Sequence, residues 1–134
     1  MPMIQISFAA DSRPAIEPQI AARAAELAAR WLGKDPALTA VSLIRVPAAH
    51  WFCAGRSLAE QGLAGFWLDI RVTEGTNTKD EKAAFIAATF AAMGELIGPL
   101  YPESYVHVVE ARGDAYGYAG LTQERRYIEA RRAP

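Results

Sequence analysis

Met1-Pro2-Met3-Ile4-Gln5-Ile6-Ser7-Phe8 opens the chain, and Phe66-Trp67-Leu68-Asp69-Ile70-Arg71-Val72 answers it, with Ile6 falling on Ile70 at an offset of 64. Both runs alternate apolar and polar positions, which is how a strand with one covered face reads. Further matches follow at an offset of 65: Gly33 on Gly98, Val41 on Val106, Trp51 on Tyr116, and Ala54-Gly55 on Ala119-Gly120. A single small indel separates the two copies. The chain is therefore a tandem repeat, and the fold is decided by what one copy forms.

In the first copy, Pro14 and Pro18 are tolerated only near a helix start, so the helix begins between them. Ile16, Ile20, Ala24, Leu27 and Trp31 form its apolar stripe, with Arg23, Glu26 and Arg30 opposite, and Gly33 stops it with Pro36 close behind. Thr39 to Val46 is a β-rich run ended by Pro47. In the second copy, Glu74-Gly75-Thr76-Asn77 is a turn and Thr78-Lys79-Asp80-Glu81 has the form of a capping box. Ile86, Phe90, Met93 and Ile97 are the predicted stripe of its helix, Gly98-Pro99 its end, and Tyr105 to Glu110 the next strand. A strand, a crossover helix and a second strand make a parallel pair. Two such units, spanning 2–61 and 66–124 of a single domain 1–134, predict an α+β fold: a four-stranded mixed sheet with both helices on one face. The other face is left bare, and its apolar residues predict burial against further copies in a closed ring.

Composition narrows the function classes. The chain has 134 residues, 51% hydrophobic and 22% charged, and a formal net charge of −1. Without a basic surplus, neither nucleic acid nor an anionic membrane is an expected partner. Cys53 is the only cysteine, so no internal disulfide or CxxC site can form. With no apolar run of about 18 residues and no charged-then-apolar leader, a cytoplasmic protein is expected.

Pro2 carries the chemical interest. Trimming of Met1 would leave its ring nitrogen as a free secondary amine. An α-amino group titrates near 7.7–8.0, and a dry pocket moves that value down toward the range where a base is most useful. A strand immediately behind the amine would hold it in place. Gly55-Arg56-Ser57-Leu58-Ala59 lacks the closing glycine of a nucleophile elbow and carries no such expectation.

These features together resemble the tautomerase superfamily. Ile70-Arg71-Val72-Thr73-Glu74-Gly75, the Asp80-Glu81-Lys82 helix start and Tyr116-Gly117-Tyr118-Ala119-Gly120 look like a 4-oxalocrotonate tautomerase subunit. Pro2, Gln5, Ile6 and His50-Trp51 fit the same pattern in the first copy, and the resemblance reaches to about Gly120. It implies a tautomerase/MIF-like fold assembled as a homotrimer. It also implies chemistry without metal or cofactor, in which Pro2 is the general base moving a double bond in a small enolisable oxo compound. A decarboxylase, a hydratase- or dehalogenase-like member, or a ligand-binding trimer with vestigial activity is the alternative. The substrate-binding candidates it suggests are His107, Tyr116, Tyr118, Arg13, Arg71 and Asn77. Acid-processing members place arginines where this chain has Thr73, Thr76 and Asn77, and by alternation with Ile70 and Val72 the Arg71 side chain should leave the core face. Tyr118 stands where dehalogenases carry a water-activating glutamate, which argues against hydrolytic dehalogenation.

Overall fold

The computed structural model describes residues 1–132. In chain order the elements are β1 (Met3–Ala9), α1 (Glu17–Leu32), β2 (Ala40–Arg45), β3 (Phe52–Cys53), β4 (Arg56–Ser57), α2 (Leu58–Gln61), β5 (Gly65–Thr73), α3 (Lys79–Ile97), β6 (Tyr105–Ala111), β7 (Gly117–Tyr118), β8 (Leu121–Thr122) and α4 (Gln123–Arg132). Four strands form one sheet in the order β2-β1-β5-β6. The pairs β1–β2 and β5–β6 are parallel, while β1 and β5 run antiparallel with Ile4 opposite Ile70. The sheet is therefore mixed, as the tandem repeat predicts: each copy contributes one parallel pair, and the two copies meet at its centre.

Alternation decides which side chains enter the core. Ile4, Ile6 and Phe8 of β1 and Phe66, Leu68, Ile70 and Val72 of β5 are buried to 1% exposure or less. Against them lie Ile20, Ala24, Leu27, Ala28 and Leu32 of α1 and Phe85, Ala92, Met93 and Ile97 of α3. Each large side chain so buried contributes about 1.5–3 kcal/mol. Both helices occupy this one face and pack on each other. The α3 stripe is displaced from the predicted one: Phe85 and Thr89 point inward, whereas Ile86 and Phe90 are 40% and 37% exposed. α3 is apolar on more than one face, so the 86–90 pair offered an equally periodic stripe, and packing in the core places Phe85 rather than Ile86 inward; the Thr78–Glu81 capping box forms as read, with both side-chain bonds present.

The opposite face is bare within the chain. Ile44, Trp67 and Tyr105 are 62%, 44% and 49% exposed there. The two glycine-punctuated segments are matching hairpins, β3–β4 and β7–β8, whose turns place Ala54-Gly55 and Ala119-Gly120 at positive φ. Two consecutive left-handed residues make the turn that suits the twist of a tight hairpin. Beyond the second hairpin the chain forms α4, a polar helix; Thr122 caps it and Arg125–Glu129 pair along it. No helix of the described residues is long and apolar enough to cross a membrane.

Candidate active site

The sheet ladder extends past β1 to the second residue, where the Pro2 carbonyl accepts the Ala40 amide at 3.2 Å. Pro2 is buried, and it borders a cavity of about 580 Å³. Met1, Met3 and Gln5 join it from the first strand, Leu38 and Ala40 from the approach to β2, Arg71 from β5, and Tyr116, Gly117 and Tyr118 from the second hairpin. The two strands of that hairpin close on each other because Gly117 has no side chain: a Cβ there would collide with the Leu121 carbonyl. Tyr116 then reaches the start of β1, its hydroxyl lying 2.9 Å from the Met1 carbonyl oxygen and 3.1 Å from that of Arg71.

The electrostatics favour a neutral amine. Burial pushes the chain's terminal amine below its usual value, the Lys34 charge pushes it further, and Asp35 opposes them. Lys34 follows the αL cap Gly33, donates to Thr76 Oγ1 at 3.1 Å, and is itself lowered by burial with Glu81 opposing. Burial raises the Tyr116 phenol, with the Met3 amide and the Arg71 charge working the other way. It therefore remains a protonated donor at neutral pH. Arg71 leaves the core face, as alternation predicts, and that face is the cavity's side. Its guanidinium has no hydrogen-bond or ion-pair partner among the described residues, which equips it to meet an anion. Behind the wall, Arg126 stacks 3.7 Å from the Tyr118 ring centroid and donates to the Tyr118 carbonyl at 2.6 Å.

Pro2, Arg71, Tyr116 and Tyr118 are thus brought together. The other expected residues stand elsewhere in this chain. Arg13 lies in the turn beyond the far end of β1, where its carbonyl accepts from Arg45. Asn77 donates to the Leu32 carbonyl at 2.9 Å and ties the β5–α3 turn to the end of α1; its Oδ1 is buried without a partner. His107 is on the bare sheet face, its side chain 62% exposed and 3.7 Å from Asp69, which also accepts from the Trp67 indole at 2.9 Å. At the place in the second copy that Pro2 holds in the first, Phe66 is fully buried and its amide is bonded to Ser104 Oγ.

Several contributors were not assigned to the site from the sequence: Met3, Gln5, Leu38 and Ala40 line the cavity, Lys34 lowers the Met1 amine, and Arg126 braces Tyr118. Gln5 was visible as the polar outward position of β1. Lys34 reads locally as a helix-end cation, and only the Thr76 turn from the other copy turns it toward the terminus.

No family model matches this sequence, and no curated protein matches it. Solved structures do match its fold. A fused 4-OT, Q0, a wild-type symmetric trimer, superposes with a TM-score of 0.79 at 19% identity, covering 92% of this chain and 98% of that one. Pt0534, solved after inactivation by 2-oxo-3-pentynoate, gives 0.78 at 22% identity, covering 91% and 96%. A macrophage migration inhibitory factor-like protein from Entamoeba histolytica gives 0.74 at 18%, covering 90% and 97%.

Proposed function

We propose that this chain, having the tautomerase fold of the fused 4-OTs and the migration inhibitory factor-like protein, is a cofactor-independent tautomerase of a small enolisable oxo acid. The observation that carries the reading is Pro2 buried at the edge of a cavity that Arg71, a cation with no side-chain partner among the described residues, also lines. Once Met1 is trimmed, the Pro2 nitrogen is the terminal amine, and burial of Pro2, the same cause that most depresses the present Met1 terminus, favours its neutral form. As a free base it takes a proton from the substrate's enol or from carbon next to the carbonyl. It then returns that proton to another carbon, moving the double bond. Arg71 holds the carboxylate, and the aromatic wall of Tyr116 and Tyr118 covers the carbon skeleton. Met3 and Leu38 keep the cavity partly apolar, which strengthens every charge interaction within it.

We assign the bare sheet face to contact with other copies in a homotrimer, a state the fused 4-OT Q0 is described as adopting. His107 lies on that face and does not line its own chain's cavity, so a substrate role for it requires the cavity of a neighbour.

Mass spectrometry of the purified protein, followed by a pH–rate profile on an enol of a 2-oxo acid such as phenylenolpyruvate, tests the proposal. Met1-free protein is expected to be active, with kcat/KM falling on the acid side as Pro2 takes up a proton. Retaining Met1 is expected to cost about 10²–10⁴-fold, the span of a positioned base. Wild-type turnover by Pro2→Ala would refute the role, and loss on the alkaline limb alone would make Pro2 an acid, as in a decarboxylase.

A further inference from the structure

We infer that Tyr116 is a catalytic hydrogen-bond donor held in reserve by Met1: removing that residue bares the Pro2 nitrogen and, in the same cut, takes away the nearer of the two backbone acceptors of the Tyr116 hydroxyl, which then turns to the substrate oxygen on which charge develops. This rests on the tautomerase reading above and adds a second role to the wall residue.

The geometry is that of one hydroxyl serving a carbonyl which processing removes. Tyr116 Oη lies 2.9 Å from the Met1 carbonyl oxygen and 3.1 Å from the Arg71 carbonyl oxygen. A phenol has one proton to donate, and the shorter contact is to Met1. Bond lengths put the oxygen and nitrogen of one amide about 2.2 Å apart, so the hydroxyl oxygen is no more than about 5 Å from the Pro2 nitrogen. Hydrolysis of the Met1–Pro2 bond by an aminopeptidase consumes one water. Its OH joins the Met1 carbonyl carbon and its hydrogen the Pro2 nitrogen, and methionine leaves with the acceptor oxygen. The cavity thereby gains a base and a donor within reach of one small molecule. The Arg71 carbonyl, fixed in β5 opposite Met3, stays 3.1 Å from the hydroxyl as the acceptor with which the substrate competes.

The reaction uses both groups. As Pro2 takes a proton from carbon, the C–H electron pair becomes the new double bond and the carbonyl π pair moves onto oxygen. The Tyr116 O–H hydrogen-bonds that oxygen and keeps its own proton. Pro2 then returns its proton to the other carbon, and the electron pairs move back. An aromatic ring with no hydroxyl would supply the wall and not the donor.

Tyr116→Phe separates these roles when studied beside Pro2→Ala, with Met1-free and Met1-retaining protein verified by mass. In Met1-free protein, Tyr116→Phe is expected to lower kcat on phenylenolpyruvate about 10²-fold, the effect of one oxyanion donor, with KM held within about threefold. In Met1-retaining protein the same change is expected to lower Tm by about 3–5 °C through the lost bond, and by clearly less once Met1 is gone. Unchanged kcat in Met1-free Tyr116→Phe, with Pro2→Ala inactive, overturns this inference and leaves the tautomerase reading intact. An equal fall in Tm in both forms, with kcat unchanged, shows the hydroxyl serving the Arg71 carbonyl and also overturns it. Full activity in Pro2→Ala instead overturns the reading on which it rests.

Discussion

The two copies of the repeat use the same backbone for opposite ends. In the second copy the hairpin aromatic is Trp51's counterpart Tyr116, which borders open space and touches the start of β1. In the first copy Trp51 packs beneath its own hairpin with Leu58, Ala48 and Tyr101, near Gly65, where even a Cβ would press on Leu58 at 2.8 Å. The strand beside Tyr116 is led into by Pro2; at the equivalent place the strand beside Trp51 has Phe66, buried to 0% exposure and closed against Phe90. One corner of the pseudo-symmetric unit is thus a cavity of about 580 Å³ bordered by Pro2; at the other, Phe66 and Trp51 fill the equivalent place and only a smaller cavity of about 230 Å³ remains beside Ala48 and Leu58. The difference lies in side-chain volume and in the amine, which only the first strand can expose, since the nitrogen of residue 66 is an internal amide bonded to Ser104.

Truncating the filled corner should have the largest effect on stability. Phe66→Ala is expected to cost about 3–5 kcal/mol in denaturant unfolding and to yield no second activity, because opening space there supplies no base. Gain of turnover from that variant would break the comparison. At the open corner, Arg71→Gln is expected to raise KM for a 2-oxo acid enol about tenfold, close to 1.4 kcal/mol, with kcat and folding little changed. Its counterpart position in the first strand is Ser7, which has no charge to lose. The smallest change concerns the helix starts. Thr78→Ala removes a capping box and is expected to cost about 1 kcal/mol by thermal unfolding, whereas α1 opens at Ile16 with no side-chain cap to remove.

The architecture was readable because alternation and duplication agree: Ile4, Ile6 and Phe8 repeat as Leu68, Ile70 and Val72, and each crossover helix has a clear stop at glycine. The phase of α3 was not, since Phe85, Ile86, Thr89 and Phe90 support two stripes and only tertiary packing selects between them. At the site, Pro2 and the hairpin tyrosines follow from local motifs. Arg71 was placed on the correct face, but that this face borders the cavity depends on the antiparallel pairing of β1 with β5, which puts Met3 opposite Arg71. The effect of Lys34 on the terminus and the contact of Arg126 with Tyr118 were not readable for a related reason. Each acts on a group from a distant segment, Lys34 on the terminus and Arg126 on Tyr118, and neither distance is encoded in nearby spacing.

The first and last described elements converge on one short hairpin: Met1 through the Tyr116 hydroxyl, and α4 through the Arg126 guanidinium on Tyr118. An affinity tag grafted ahead of Pro2 would sit inside the crevice, and one appended behind α4 would tug on its wall. For this molecule the choice of purification handle is itself an experiment on reactivity, and an untagged preparation is the proper reference for every assay.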